Sequence, residues 1–125
     1  MHSLSRLSFV AATLVVLQPA ARAGERGDPS QSCDGSTPEM VECLQGKTAE
    51  WDKRMNTAYQ QALNDAGAAQ REQLRAAQRL WIQYRDASCL YYGMGEGSIA
   101  RVEAAECLRS MTEARARELE AGGVR

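Results

Sequence analysis

Four cysteines carry the most definite chemistry in this chain of 125 residues: Cys33, Cys43, Cys89 and Cys107. An even number of cysteines in a small domain fits either two disulfides or a metal site. A zinc site uses closely spaced thiolate and imidazole ligands, yet the sequence has no Cys-x-x-Cys pair and its single histidine is His2. The cysteines are therefore predicted to form two disulfides, with no metal ion and no other cofactor.

The pairing of the cysteines has more than one solution. The favoured pairing is local and joins Cys33 to Cys43 and Cys89 to Cys107. An alternative joins Cys43 to Cys89, because a helical hairpin that turns at Gly67 would bring them to nearly the same level at about 1.5 Å of rise per residue. In a domain of this size, each disulfide is expected to stabilise the fold by about 2–4 kcal/mol.

Four polar residues could form either a ligand site or a structural network: Asp52, Asn56, Gln78 and Arg85. In the same hairpin Asn56 and Gln78 are level, and the long side chain of Arg85 can reach Asp52. A catalytic site would need a nucleophile beside these groups, and none stands near them. The four residues are therefore predicted to form a buried ion pair and amide network that fixes the register of the helices.

The residue types do not favour an enzyme. Oxidised cysteines supply no thiolate, and His2 lies in a segment that we expect to be removed, so the usual base and nucleophile are missing. Most other charged residues are predicted to lie on solvated helix faces. These residues are Arg71, Glu72, Arg75, Arg79, Glu113, Arg115, Arg117, Glu118 and Glu120.

Helices are predicted to position these residues, because segment 77–89 repeats its large side chains at steps of three and four. One stripe comprises Leu74, Ala77, Trp81, Tyr84, Ser88 and Tyr91, and a second comprises Gln78, Ile82, Arg85 and Cys89. A helix with two adjacent inward stripes needs a neighbouring helix to cover each stripe. The pattern therefore predicts that this helix is the centre of a bundle.

Three helices are predicted, and no segment has the alternating pattern of a strand. The first begins with Thr37 as its cap and runs to Ala66, with Gly46 favouring a local kink. The second spans 68–92, and Ser98 caps the third. The fold class is all-α, a small antiparallel three-helix bundle stapled by two disulfides. Its core is predicted to hold Trp51, Tyr59, Trp81, Tyr84, Ile99, Val102, Ala105, Leu108, Met111, Thr112 and Leu119.

Residues 1–23 have the pattern of a secretory signal peptide, with Arg6, an apolar run over 7–17 and a small-x-small motif ending at Ala23. The apolar run is too short to cross a bilayer. No cysteine follows the cleavage motif, so no membrane anchor is expected. The mature protein would be periplasmic or secreted.

The remaining chain is predicted to divide into a flexible lead-in (24–36), a helical domain (37–121) and a frayed tail (122–125). Cleavage would remove two arginines and change the net charge from −1 to −3. A mildly acidic domain is not expected to bind nucleic acid.

A series of motifs accompanies the predicted helices: TPEMVEC at 37–43, DKRMNTAY at 52–59, AQRLWIQYRDASC at 77–89, GSI at 97–99 and CL at 107–108, followed by Thr112, Arg115 and Leu119. Together they resemble the LprI-type lysozyme-inhibitor family over about 33–119. Segment 38–41 departs from the family, in which related chains often carry Gln and Asn. The resemblance implies a small exported helical domain and, as in the best-known member, inhibition of lysozyme.

Two functions are therefore expected from different classes. The first is an exported binding protein that blocks the cleft of lysozyme or another muramidase, which holds the two working carboxylates. Its binding surface would be either a helix face or the loop 93–98, which could also be a simple connection. The candidate contacts of the loop are Tyr91, Tyr92, Met94, Glu96 and Ser98. The alternative is a cell-envelope structural or interaction module, which an exposed apolar patch or a stable dimer would favour.

Overall fold

The computed structural model describes residues 32–122, which form three α-helices. Helix α1 spans Thr37–Asp65, α2 spans Ala68–Gly93 and α3 spans Ile99–Glu120. No strand occurs among the described residues, so the predicted all-α fold is confirmed. The predicted signal peptide, most of the lead-in and the end of the tail lie outside the described residues.

Side-chain contacts define the directions of the helices. Gln78 on α2 contacts Met55 on α1 and also bonds Arg115 on α3. Further along α2, Cys89 is bonded to Cys107, which precedes Arg115 on α3. Residue numbers therefore rise along α2 as they fall along α3. Because Ala66 and Gly67 alone connect α1 to α2, the bundle runs up, down and up.

Helix α3 is the element that packs closely against both others. Backbone approaches are many between α1 and α3 and between α2 and α3, whereas α1 and α2 rarely come close to each other. Small side chains permit the close approach of α1 and α3, because Ala116 and Ala58 are almost completely buried. The prediction that α2 is the central helix is therefore wrong.

The core lies where α1 meets α3. It comprises Met55, Ala58, Ala116 and Leu119, with Trp51, Tyr59, Leu74 and Trp81 packed against it. Five residues that were predicted to face inward are in fact exposed: Ala77, Ile82, Tyr84 and Tyr91 on α2, and Ile99 at the start of α3. They lie at helix positions that turn away from the neighbouring helix, since three-and-four spacing alone does not fix which stripe faces inward.

Helix α1 begins one residue earlier than predicted. Ser36 rather than Thr37 is the N-cap, and the Glu39 carboxylate accepts hydrogen bonds from the Ser36 hydroxyl at 2.6 Å and its backbone N–H at 2.8 Å. These two bonds, the hydroxyl bond first, hold the pKa of Glu39 below its ordinary value. The helix then continues through Gly46 without a break.

Both disulfides follow the local pairing. Cys33 is bonded to Cys43 with a Cα–Cα distance of 5.6 Å, and Cys89 is bonded to Cys107 with a Cα–Cα distance of 5.4 Å. The first attaches the chain before α1 to the second turn of that helix. The second joins α2 to α3 below their connection. The favoured pairing is confirmed, and the alternative that joins Cys43 to Cys89 is excluded.

Candidate functional site

The candidate contact residues lie at the end of the bundle where α2 meets α3. All five of them, Tyr91, Tyr92, Met94, Glu96 and Ser98, are exposed to solvent. Tyr91 and Met94 each expose 76% of their surface. The rings of Tyr91 and Tyr92 meet edge to face with centroids 5.4 Å apart. We call this end of the bundle, residues 91–98, the corner. It exposes large apolar side chains, and both of its tyrosines face solvent.

The connection between α2 and α3 is tight and hydrogen-bonded. The N–H of Met94 donates to the Leu90 carbonyl at 3.0 Å, and the N–H of Gly95 donates to the Tyr92 carbonyl at 3.2 Å. Gly97 has a φ of 75°, which glycine adopts at no steric cost. Ser98 directly precedes α3, but its hydroxyl makes no capping bond. The backbone bonds, rather than a side-chain cap, hold this loop in place.

The Cys89–Cys107 disulfide forms the base of the corner. Cys89 is buried, and the Met111 sulfur lies 3.8 Å from Cys89 Sγ and 3.7 Å from Cys107 Sγ. Gly95 packs closely against Ala100, as a Cβ atom placed on Gly95 would lie only 3.4 Å from the Ala100 Cβ. The covalent link and this close packing fix the positions of the two helix ends relative to each other.

An open groove of about 890 Å³ runs beside the exposed tyrosines. Its lining combines the end of α2, the connection and the first turns of α3: Tyr91, Tyr92, Met94, Gly95, Val102, Glu103, Glu106 and Cys107. A second hollow of about 520 Å³ shares Tyr91, Tyr92 and Cys107 with it and extends to Tyr84. Three of the candidate contacts therefore line one groove, whereas Glu96 and Ser98 lie outside it.

Two carboxylates give the groove an acidic wall, and their environments differ. Glu106 accepts two hydrogen bonds from Arg109, at 2.7 and 2.6 Å. These bonds are the main reason that the pKa of Arg109 lies above its ordinary value. Glu103 has no ion pair with another residue of the described chain. Of the two carboxylates that line the groove, Glu103 is therefore the one that is available to a cationic group of a binding partner.

The ion pairs continue along α3 away from the groove. Glu113 receives Arg117 at 2.8 Å and Arg109 at 2.5 Å. The hydrogen bond from Arg117, followed by that from Arg109, keeps the pKa of Glu113 below its ordinary value despite partial desolvation. This ladder of charges holds Arg109, and through it Glu106, in one orientation.

The predicted network of four polar residues is divided in the structure. Asp52 accepts a bond from Asn56 at 3.2 Å on the exposed surface of α1. Arg85 pairs with its neighbour Asp86 at 2.8 Å and donates to Thr112 at 3.4 Å. No ion pair joins Asp52 to Arg85, because each carboxylate and guanidinium finds a nearer partner. Only the burial of Gln78 matches the prediction.

The buried polar contacts centre on Arg115, which was predicted to be solvated. Only 7% of Arg115 is exposed. Its Nε donates to Gln78 Oε1 at 3.0 Å, and a terminal nitrogen donates to Glu118 at 2.6 Å. Position 115 lies one turn from Thr112 and Leu119, both correctly predicted to face inward, so helical spacing could have identified it. The charge of arginine masked that signal.

Arg71, also predicted to be solvated, instead binds the end of α1. Its guanidinium donates to the carbonyl oxygens of Leu63 at 2.9 Å and Ala66 at 3.1 Å. These carbonyls belong to the last turn of α1, where no helical partner remains for them. Arg71, at the start of α2, therefore supplies hydrogen-bond donors to carbonyl groups at the end of α1.

No arrangement for metal binding is visible in the described part of the chain. Within residues 32–122, no three His, Cys, Asp or Glu side chains come together as metal ligands would. Both thiol pairs are oxidised, and no buried side-chain oxygen or nitrogen there lacks a partner. None of the three described helices has the length and apolar content that a membrane span requires. The geometry at the corner suits a surface that binds another molecule.

Comparison with known proteins agrees with the fold and the motifs. The family model described as lysozyme inhibitor LprI matches residues 28–119. This range includes all four cysteines and all three helices, apart from the last residue of α3. No curated protein and no solved structure matches the chain. Because the family model covers most of the 125 residues, the chain belongs to the lysozyme inhibitor LprI family.

Proposed function

We propose that the protein is an exported inhibitor that binds a muramidase and blocks its catalytic cleft. The observation that carries this proposal is an exposed aromatic corner in a chain of an inhibitor family. Tyrosine and methionine are enriched at protein interfaces, and tyrosine buries a large area at low entropic cost. Such side chains are expensive to expose at one corner unless a partner covers them.

The rigidity of the corner supports an inhibitory role. A binding surface that is already ordered loses less conformational freedom when it meets its partner. The Cys89–Cys107 disulfide and the backbone bonds at Met94 and Gly95 provide that order. Met94 is largely exposed and also lines the groove together with Val102, so a partner could both cover Met94 and extend a side chain into the groove.

The charges of the corner favour a cationic partner. Glu96 is exposed at the tip, and Glu103 and Glu106 line the groove. Complementary charge raises the rate of encounter and helps to exclude partners of the wrong sign. The two disulfides and the family also fit an oxidising compartment outside the cytoplasm. A muramidase with basic residues around its cleft is therefore the proposed target.

The test is an inhibition assay with the oxidised fragment 24–125, which contains every described element and both disulfides. We expect saturable inhibition of a cationic lysozyme. The triple variant Tyr92→Ala, Met94→Ala and Glu96→Ala is expected to lose at least roughly tenfold in affinity, because these residues form the exposed tip. Raising the salt concentration should slow association more than it speeds dissociation.

The matched control replaces three exposed residues at the far end of α1, Gln60→Ala, Gln61→Ala and Asn64→Ala. This variant is expected to inhibit like the unchanged protein. Inhibition that survives the tip substitutions but not the control substitutions would move the site to a helix face. Failure to inhibit any muramidase would retire the inhibitor function and leave the interaction-module alternative.

One observation favours that alternative in its own right. Exposed apolar residues continue along α2 beyond the groove, with Leu80 and Tyr84 each 65% exposed. A patch of this kind away from the connection indicates a second contact surface. The two functions are compatible, because the patch and the corner occupy adjoining parts of one helix.

A further inference from the structure

The outward face of α2 carries a regular stripe of apolar residues. From Ala77 to Met94 these residues recur at steps of three and four, and each is exposed: Ala77, Leu80, Tyr84, Ala87, Tyr91 and Met94. This spacing is that of a coiled-coil seam, in which one helix packs against another along its length. We call this set the outward stripe.

The outward stripe is not part of the core of the bundle. The inward face of α2 is formed by Gln78, Trp81, Arg85 and Cys89, which contact α1 or α3. The outward stripe contains no charged residue over about five helical turns. An exposed helix face normally carries charges at most of its positions, so an uncharged seam of this length indicates a helical partner.

We propose that the outward stripe pairs with the same stripe of a second copy of this chain. The two α2 helices lie antiparallel, with the two-fold axis between Tyr84 and Ala87. In this register Tyr84 of each copy faces Ala87 of the other, and Ala77 faces Met94. In these two pairs a large side chain meets a small one, so the two helices can approach closely at the axis and at the ends of the stripe.

The remaining positions agree with this register. Leu80 of each copy faces Tyr91 of the other, and Gln83, an uncharged polar residue, lies beside the seam. Tyr84 and Tyr91 alone offer roughly 300 Å² of exposed side chain per copy, taking about 200 Å² for a whole tyrosine. Leu80 and Met94 bring the area towards the roughly 800 Å² per partner that specific interfaces bury. The area is smaller than that of a permanent interface, so the pairing is expected to be weak and reversible.

Dimerisation would also affect inhibition, a consequence that rests on the proposed inhibitory function. Tyr91 and Met94 belong both to the outward stripe and to the lining of the groove. A second copy therefore covers two of the residues that a muramidase would contact. The monomer is the inhibitory form, and dilution or capture by the target releases it.

Sedimentation equilibrium of the oxidised fragment 24–125, over a series of concentrations, tests the pairing without any muramidase. We expect a monomer–dimer equilibrium. The variant Ala87→Glu places a carboxylate in the middle of the seam and is expected to weaken the dimer more than roughly tenfold, because a buried unpaired charge is costly. Gln60→Glu adds the same charge to an exposed position of α1 and serves as the matched control.

A complementary pair of variants tests the register. Tyr84→Lys and Ala87→Glu each place like charges near the axis of a homodimer and are expected to be monomers. Mixed together, they bring lysine of one copy opposite glutamate of the other and are expected to form a heterodimer. Circular dichroism confirms that each variant keeps its helices.

The outcomes separate the proposals. A protein that stays monomeric at submillimolar concentration overturns the pairing, as does a dimer that Ala87→Glu leaves intact. A mixture that fails to form a heterodimer, while the unchanged protein dimerises, overturns the register. None of these results depends on inhibition, so failure of the inhibitor function leaves the dimer measurable, and failure of the dimer leaves the inhibitor function intact.

Discussion

Replacing Arg115 with methionine tests the buried contacts that connect the three helices. Arg115 on α3 donates to Gln78 on α2, and Gln78 in turn lies 3.6 Å from the Met55 sulfur on α1. Arg115→Met keeps a long apolar side chain and removes the guanidinium. It leaves the Gln78 carbonyl oxygen without its donor at a residue that is only 5% exposed.

The size of the effect follows from that unpaired group. A buried acceptor that loses its partner costs about 1–3 kcal/mol. The Arg115 guanidinium also lies 5.9 Å from the centroid of the Trp81 ring, an interaction of about 0.5–1 kcal/mol at most at that distance. We expect Arg115→Met to destabilise the fold by about 2 kcal/mol. For a domain of this size that loss lowers the Tm by roughly 10 °C.

The assay is thermal and urea denaturation of four proteins with intact disulfides: the unchanged protein, Arg115→Met, Gln78→Met and the double variant. Replacing both partners removes both unpaired groups, so the double variant is expected to lie within about 1 kcal/mol of the unchanged protein. The reasoning is refuted if Arg115→Met changes the Tm by less than about 2 °C, or if the two single losses simply add in the double variant.

Two further predictions concern α1 and the pH dependence of stability. Gly46→Ala is expected to raise the free energy of unfolding by about 0.5–1 kcal/mol, because Gly46 is inside α1 with open space around it. Urea denaturation measures this free energy, and a loss of stability in the variant would contradict the prediction. The pKa values of Glu39, Glu113 and Glu120 are lowered by hydrogen bonds from Ser36, Arg117 and Arg54. Their stabilisation is therefore complete above the ordinary glutamate pKa and is lost as pH falls through the lowered values. The Tm should fall between neutral pH and pH about 3, and by less in Glu113→Gln.

The sequence allowed the number of helices to be predicted, and it favoured one pairing of the cysteines over the other. Three-and-four spacing, the connection after Asp65 and the glycines after Tyr92 were sufficient for the helix boundaries to within a few residues. The local pairing of cysteines was favoured on chain proximity, and the structure agrees with it. These features depend on interactions between residues close in sequence, which a pattern can report.

The orientation of α2 could not be predicted in the same way. Its first stripe is the more apolar of the two, yet Gln78 and Cys89 of the second stripe are buried while Tyr84 and Tyr91 of the first face solvent. What decided the rotation was the bond from Cys89 to Cys107 and the contact of Gln78 with Arg115. Both join α2 to α3, so the pattern of α2 alone could not report them, and Arg115 was assigned to the surface on its charge alone.

At the corner, the sequence identified which residues meet but not how they are arranged. Tyr91, Tyr92 and Met94 were selected because they flank a glycine-rich connection, and the structure places them together in the groove. Glu103 was missed, because nothing in its local sequence distinguishes it from other helix-surface glutamates. Only the packing of α3 beside α2 brings it to the groove wall.

The central position of α3 has a consequence for the order of events during synthesis. Helices α1 and α2 rarely approach each other, and the core residues Met55 and Ala58 are covered by Ala116 and Leu119 of α3. A chain that has only α1 and α2 in place therefore lacks the residues of α3 that cover Met55 and Ala58. Stable tertiary structure is expected only after the last helix is complete, and the three helices are then expected to fold in one cooperative step.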